Sequence, residues 1–86
     1  MVMSKGYPKL IRRETVLSLF PVSVSTLYER INSGLFPPPI SSGGRTVFWI
    51  ESEVHAVVRA MIQSVTPDEL KTLVMESVKS RSDLWL

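Results

Sequence analysis

The stretch SVSTLYERINSGLFPPPISSGGRTVFW, residues 23–49, contains the signals that decide the fold. It opens with a helical pattern, because positions 24, 27, 28 and 31 are apolar and fall on one face of a helix. The opposite face is polar and consists of Ser25, Thr26, Glu29, Arg30 and Asn32. Ser23 suits the N-cap, and Gly34 suits the C-terminal cap, where glycine tolerates a left-handed backbone. The stretch therefore predicts a short amphipathic helix with one polar face.

A hairpin is predicted directly after this helix. Residues 37–39 are all proline and keep the chain extended. Two strand-like runs, 40–42 and 46–49, then flank the turn Gly43-Gly44-Arg45, where glycine permits the positive φ that hairpin turns require. The pattern predicts a two-stranded wing with a cation at its tip.

A shorter helix is predicted upstream, where Val16, Leu17 and Phe20 form an apolar face in the segment that starts at Arg12. Pro21 ends this helix, because proline disfavours helical geometry in the residue before it. Only a few residues then precede the next helix, and that spacing requires a tight turn between two helices that share one core. With the hairpin, these elements predict a winged helix-turn-helix, a mostly α fold with a small β-hairpin.

Two further helices are predicted in the C-terminal part of the chain. The third begins at Glu51 and Ser52. Its apolar positions are Val54, Val57, Val58, Met61, Ile62 and Val65. The motif Thr66-Pro67-Asp68-Glu69 combines an N-cap, a proline at the first helical position and an acid three residues after the cap, so it starts a fourth helix that runs to about Ser80. The apolar stripe of the fourth helix is Leu70, Leu73, Val74 and Val78. This stripe requires burial, either against the third helix or against another chain.

The same signals divide the chain into three parts. We expect residues 1–9 to be a flexible N-terminal arm and residues 10–65 to be the winged helix-turn-helix domain. Residues 66–86 are expected to be an extra C-terminal helix and tail, whose apolar stripe makes them a candidate oligomerisation element. On this division, a chain without residues 66–86 is expected to fold as a monomer.

The composition argues against an enzyme. The 86 residues include no cysteine and a single histidine, His55, so the chain has no disulfide, no thiolate nucleophile, no Ser-His pair and no zinc ligand set. We therefore expect no catalytic residues, no metal and no cofactor.

The N-terminal residues lack the apolar run of a signal peptide, and the longest apolar stretch, residues 47–50, is far too short to span a membrane. A cytoplasmic protein without a membrane partner is expected.

The charge is unevenly distributed along the chain. Residues 1–50 carry six basic and two acidic groups, whereas residues 51–86 carry four basic and six acidic groups. The basic half contains the amphipathic helix and the wing, which favours a nucleic-acid partner. Chance segregation of charge in a small domain is the alternative.

Several short motifs follow one another in the order and spacing of a known family. They are Leu10-Ile11-Arg12, Glu14-Thr15-Val16, Ser23-Val24-Ser25-Thr26-Leu27-Tyr28, Ile31, Gly34, Phe36-Pro37-Pro38-Pro39-Ile40, Gly43-Gly44-Arg45, Trp49 and Ser52-Glu53-Val54. On these motifs the chain resembles the AlpA-like prophage regulators, which are related to phage excisionases and to the DNA-binding part of MerR-type regulators. The resemblance covers about residues 10–62. Two positions differ from the family pattern: Val24, where a basic or polar residue is common, and Pro21, where the turn often has glycine.

The resemblance implies that the second helix enters a major groove of double-stranded DNA and that the wing reaches along the backbone or into the adjacent minor groove. It places Ser25, Thr26 and Arg30 at groove-facing positions and Arg45 at the position of a wing arginine. An arginine can pair in a bidentate manner with guanine, and Arg30 is the candidate for that pair. A surface arginine paired with Glu14 or Glu29 is the alternative.

The remaining candidates also have two interpretations each. Ser25 and Thr26 lie at the amide-rich end of the helix, where they can hold a phosphate or simply cap the helix. The ring of Tyr28 is expected to pack in the core, with its hydroxyl within reach of a phosphate. Trp49, Phe36 and Phe48 are expected to pack as core side chains. The full set of candidate DNA-binding residues is Ser25, Thr26, Tyr28, Glu29, Arg30, Arg45 and Thr46.

The function predicted from these features is a DNA-binding transcriptional regulator of a prophage or genomic island. Two alternatives stay open: an excisionase that bends attachment-site DNA, and a protein-interaction module that binds a regulator. Because one helix and one wing contact few bases, a homodimer or a cooperative array on DNA is expected, with an integrase as a further candidate partner.

Overall fold

The computed structural model describes residues 8–41 and 43–85, and for residues 84 and 85 it describes the backbone alone. The elements follow in the order β1 (Leu10–Ile11), α1 (Arg13–Leu19), α2 (Val24–Asn32), β2 (Ile40–Ser41), β3 (Val47–Ile50), α3 (Glu51–Ile62), α4 (Pro67–Lys79) and a 3-10 helix (Ser80–Trp85). This mostly helical chain with a small antiparallel sheet confirms the predicted winged helix-turn-helix with an extra C-terminal helix. Residues 1–7 of the predicted arm, the predicted strand residue Ser42 and the last residue, Leu86, lie outside the described residues.

The turn between α1 and α2 follows from one proline. Phe20 has φ −133° and ψ 84°, because the residue before Pro21 is kept out of the helical region. Its amide still donates to the Val16 carbonyl at 2.8 Å, which closes the last turn of α1. The chain then reverses, and α2 begins after the cap Ser23. The predicted helix-turn-helix is therefore present at the predicted place.

Gly34 ends α2 as predicted. It adopts φ +78°, and its amide donates to the Ile31 carbonyl at 3.1 Å. The next amide, that of Leu35, donates to the Arg30 carbonyl at 2.9 Å. These two bonds form a Schellman motif, which satisfies the last carbonyls of the helix and turns the chain toward the prolines.

The sheet has three strands in the order β1-β3-β2, and both pairings are antiparallel. In the wing, Ile40 pairs with Phe48 and Ser41 with Val47. The second strand starts at Val47 and extends to Ile50, one residue later at each end than the sequence predicts. Strand β1 was not predicted, because two residues are too few to show a strand periodicity. It pairs with the part of β3 that lies beyond the wing, and so ties the start of the chain to the sheet.

The core lies between the sheet and the helices. Its fully buried side chains include Val16, Leu27, Phe36, Trp49, Val54 and Val57. Trp49 and Phe36 are in the core as predicted, and Phe36 stacks on Phe20 with 5.4 Å between ring centroids. The prediction for Phe48 was wrong, since its ring is half-buried and does not belong to the core cluster. The reason is strand alternation: Phe48 and Trp49 point to opposite faces of β3.

Helix α4 packs against α3 within the same chain. Its capping box is complete, with the Glu69 amide donating to the Thr66 hydroxyl at 3.1 Å and the Thr66 amide donating to the Glu69 carboxylate at 2.8 Å. Leu70 and Val74 are each only 5% exposed and join the single core cluster. Of the two ways to bury the α4 stripe, the structure therefore shows packing against the third helix.

The end of α3 differs from its apolar pattern. Ile62 was placed on the buried stripe, but it is 78% exposed, because α3 ends there and the chain turns away toward α4. The turn contains Ser64 at φ +59°, whose amide donates to the Met61 carbonyl at 3.0 Å. Among the described residues, no helix has the length and apolar character that crossing a membrane requires.

Candidate nucleic-acid interface

The outward face of α2 carries three exposed polar side chains at helical spacing: Ser25, Glu29 and Asn32. They lie at positions i, i+4 and i+7 of a nine-residue helix and therefore share one face. Asn32 was recognised as part of the polar face but was not included among the candidate site residues. An asparagine amide can both donate and accept, so Asn32 has the chemistry to pair with a base edge.

Ser23 and Thr26 form the N-terminal cap of α2. The Ser23 hydroxyl oxygen accepts from the Thr26 amide at 3.1 Å, and the Ser23 hydroxyl donates to the Thr26 hydroxyl oxygen at 2.9 Å. Thr26 is half-buried by this arrangement, whereas Ser25 beside it stays exposed. The side-chain cap of α2 is therefore Ser23, and Thr26 supplies the amide that is capped.

Arg30 lies against the turn of the helix-turn-helix. Its guanidinium carbon is 5.3 Å from the centroid of the Phe20 ring, a distance typical of a cation–π contact. Its Nε is buried and has no hydrogen-bond partner. The alternative pairing with Glu14 or Glu29 does not occur, since the ion pairs of the described residues do not include Arg30. The contact with Phe20 fixes the guanidinium at the edge of the polar face.

Tyr28 contacts the sheet, as expected for a core side chain. Its ring meets that of Trp49 edge to face, with 6.5 Å between centroids and 63° between the planes. Trp49 is fully buried and its indole N–H donates to the Pro37 carbonyl at 3.0 Å. Tyr28 thereby holds α2 against the strand that continues into the wing.

The wing turn is built as its glycines predict. Gly43 adopts φ +93°, and its amide donates to the Ser41 hydroxyl at 3.2 Å. Arg45 and Thr46 follow on the exposed side of the turn. Both line a shallow cavity of about 160 Å³ together with Val47 and with residues 12–14 at the start of α1.

This cavity is lined by three arginines, Arg12, Arg13 and Arg45, which we call the arginine cluster. One carboxylate, that of Glu14, also lines the cavity. The guanidinium carbon of Arg12 is 5.9 Å from the centroid of the Phe48 ring, so Arg12 is guided toward the wing by an aromatic face. In the part of the chain that the structure describes, no ion pair involves any of the three arginines.

Sequence reasoning missed Arg12 and Arg13 as members of the site. They follow β1, and the pairing of β1 with β3 is what places them beside the wing. The only sequence signal was the basic character of the N-terminal half, which does not assign a charge to a surface. Of the seven predicted residues, Arg45 and Thr46 are brought together in the cavity. The other five lie on α2: Ser25 and Glu29 on its exposed face, Thr26 at its cap, Tyr28 on its core side and Arg30 against Phe20.

Comparison with known proteins identifies the family. The family model described as prophage CP4-57 regulatory protein (AlpA) matches residues 9–59, more than half of the chain. The chain belongs to the AlpA family. The matched region begins at the residue before β1 and extends through most of α3. It includes all seven predicted site residues and the whole arginine cluster.

One curated relative of this AlpA-family protein comes from a bacteriophage. The chain is 46% identical over 48 residues to the uncharacterized protein ORF88 of Enterobacteria phage P4. The match covers 56% of this chain and 54% of the relative, so the chain spans about half the length of that relative. No solved structure matches the chain at a significant level. The AlpA family is a prophage regulatory family, and the resemblance stated from the motifs is confirmed.

Proposed function

We propose that this AlpA-family protein is a regulator that binds double-stranded DNA, with the polar face of α2 in a major groove and the wing on the adjacent backbone. The observation that carries the proposal is the arginine cluster. Three arginines from two separate segments line one shallow cavity, and none forms an ion pair among the described residues. Like charges repel, so this convergence favours a polyanionic partner.

The geometry of the cluster suits the sugar-phosphate backbone. Arginine binds phosphate through a planar fork of N–H donors, and the cavity places these donors on both the wing and the start of α1. Thr46, whose side chain carries a hydroxyl, also lines this cavity. Two chain segments that contact one backbone would fix the orientation of the domain before any base is read.

Base reading is assigned to the exposed face of α2. A nine-residue helix fits the major groove, and the side chains along its exposed face, Ser25, Glu29 and Asn32, match base edges chemically. Asn32 can pair with adenine through two hydrogen bonds, and Glu29 can accept from the amino group of cytosine. Arg30 contributes from the side of this face, with its guanidinium held on Phe20.

The backbone part of the proposal is tested by the salt dependence of binding. Each of Arg12→Ala, Arg13→Ala and Arg45→Ala is expected to reduce the slope of log K against log salt by about 0.9, as the loss of one phosphate contact should. Affinity for any duplex sequence falls together with the slope. Arg59→Ala is the matched control, because Arg59 is an exposed arginine in the last turn of α3 and does not line the cavity. Unchanged slopes in all three cluster variants would contradict the proposal.

The reading part is tested separately with Asn32→Ala. This variant is expected to lose about 1–3 kcal/mol of binding free energy on the specific site and almost nothing on random duplex. Ser33→Ala, at the neighbouring exposed C-cap position, serves as its control. An equal loss on both kinds of DNA would refute base reading by Asn32. Footprinting on a regulated promoter and on the attachment site then distinguishes a transcriptional regulator from an excisionase, since the latter occupies the attachment site.

A further inference from the structure

The C-terminal 3-10 helix contributes one side chain to the base of the wing. Arg81 donates from Nε to one carboxylate oxygen of Glu53 at 2.9 Å and from Nη2 to the other at 2.7 Å. The same Nη2 donates to the Pro38 carbonyl at 2.8 Å. Glu53 is 6% exposed, and the Arg81 side chain is 20% exposed. The contact is therefore a largely buried bidentate pair that also holds a backbone group.

The two partners of Arg81 lie at the two ends of the wing hairpin. Pro38 comes two residues before β2, and Glu53 comes three residues after β3, in the first turn of α3. One guanidinium thus joins the segment that enters the hairpin to the segment that leaves it. Among the described residues of the hairpin, two residue pairs join β2 to β3, so a link at its open end adds to what fixes its orientation.

The proline segment explains why a side-chain donor is required there. Residues 37–39 have no amide N–H, so they cannot donate to a neighbouring strand, and their carbonyls are the only backbone groups that can form hydrogen bonds. The Pro37 carbonyl accepts from the Trp49 indole, and the Pro38 carbonyl accepts from Arg81. Trp49 belongs to the sheet, whereas Arg81 comes from beyond α4 and outside the residues that match the AlpA family.

We infer that Arg81, oriented by Glu53, is a positioning residue for the wing. It closes the base of the hairpin and holds the turn with Arg45 at its place beside Arg12 and Arg13, without contacting the nucleic acid itself. The part of this inference that concerns DNA rests on the proposed function. The part that concerns the wing does not depend on it.

The test is amide hydrogen exchange of the full chain by NMR, comparing Arg81→Lys with the wild type. Lysine keeps the positive charge beside Glu53, but its single ammonium cannot reproduce the two-nitrogen fork that reaches both Glu53 oxygens and Pro38. We expect the amides of β2 and β3 to exchange about tenfold faster, the size of effect that loss of a hydrogen bond to a charged group produces, while those of α2 stay unchanged. Lys79→Arg, at an exposed position in the last turn of α4, is the control.

Arg81→Met is the second variant, and it leaves Glu53 without its partner. If it unfolds, Arg81→Lys alone decides the outcome. Unchanged exchange in the wing of Arg81→Lys, or equal acceleration of the wing and α2, would overturn the inference, because Arg81 would then have no effect specific to the wing.

In the DNA measurement, Arg81→Lys should lower the affinity severalfold with the salt slope retained, unlike Arg45→Ala. If Arg45→Ala loses DNA binding while the wing amides of Arg81→Lys exchange as in the wild type, the proposed function is supported and the positioning role of Arg81 is refuted. A wild type without any salt-sensitive DNA binding would remove the function, and wing exchange would still decide the role of Arg81.

Discussion

Replacing Trp49 by phenylalanine tests how the wing is joined to the core. The indole is fully buried, its N–H donates to the Pro37 carbonyl at 3.0 Å, and its ring meets Tyr28 edge to face. Phenylalanine fits the same site but leaves the space of the second ring empty and the carbonyl without its donor. Trp49→Phe should therefore lower the free energy of unfolding through two separable losses.

The two losses can be estimated from the contacts. The missing ring leaves about 40 Å³, and a cavity cost of about 24 cal/mol per Å³ gives roughly 1 kcal/mol. The unpaired Pro37 carbonyl adds about 1–3 kcal/mol, because the two residues that follow it are prolines and supply no amide donor. The sum, about 2–4 kcal/mol, is a large fraction of the total stability expected for a domain of this size.

The assay is urea unfolding followed by circular dichroism. Phe48→Leu is the matched control, since Phe48 is the neighbour on the same strand but points away from the core, and we expect it to cost less than about 1 kcal/mol. If Trp49→Phe lowers the free energy of unfolding by less than about 1 kcal/mol, the Pro37 contact contributes nothing. If its loss equals that of Phe48→Leu, Trp49 does not link the wing to the core.

Two further predictions concern the helix ends and the C-terminal segment. Ser64→Gly should raise the free energy of unfolding by about 0.5–1 kcal/mol, because Ser64 has φ +59°, and Gly34→Ala should lower it by about 1 kcal/mol, because Gly34 has φ +78°. Thermal unfolding measures both, and shifts of the same sign would contradict the argument from backbone conformation. Deleting residues 66–86 should abolish cooperative unfolding, because it removes Leu70 and Val74 from the core and uncovers the face of α3 against which they pack. A truncated chain that unfolds cooperatively near the wild-type midpoint would instead support the expectation of an independently folded domain at residues 10–65.

The parts of the fold that were predictable depend on local signals. Ser23 caps α2, Gly34 ends it and Pro21 separates it from α1, each through contacts within a few residues of the chain. The glycine turn of the wing is equally local. Such signals act through backbone geometry, so one sequence is enough to identify them.

The parts that were missed depend on contacts between distant residues. In the sequence Glu53 is only part of the motif Ser52-Glu53-Val54, but in the structure it is a buried partner of Arg81, 28 residues later. Arg12 and Arg13 join the wing because of a two-residue strand with no periodicity of its own. Phe48 and Ile62 follow apolar patterns and yet lie outside the core, because strand alternation and the end of a helix override composition.

The shape of the sheet has a consequence for how copies of this protein can meet. Its central strand β3 is covered on both sides by strands of only two residues, and one of these is preceded by three prolines. Short edges and residues without an amide donor give an incoming strand almost nothing to pair with. Copies of this protein that meet would therefore contact one another through side chains, because the sheet offers little edge for strand pairing.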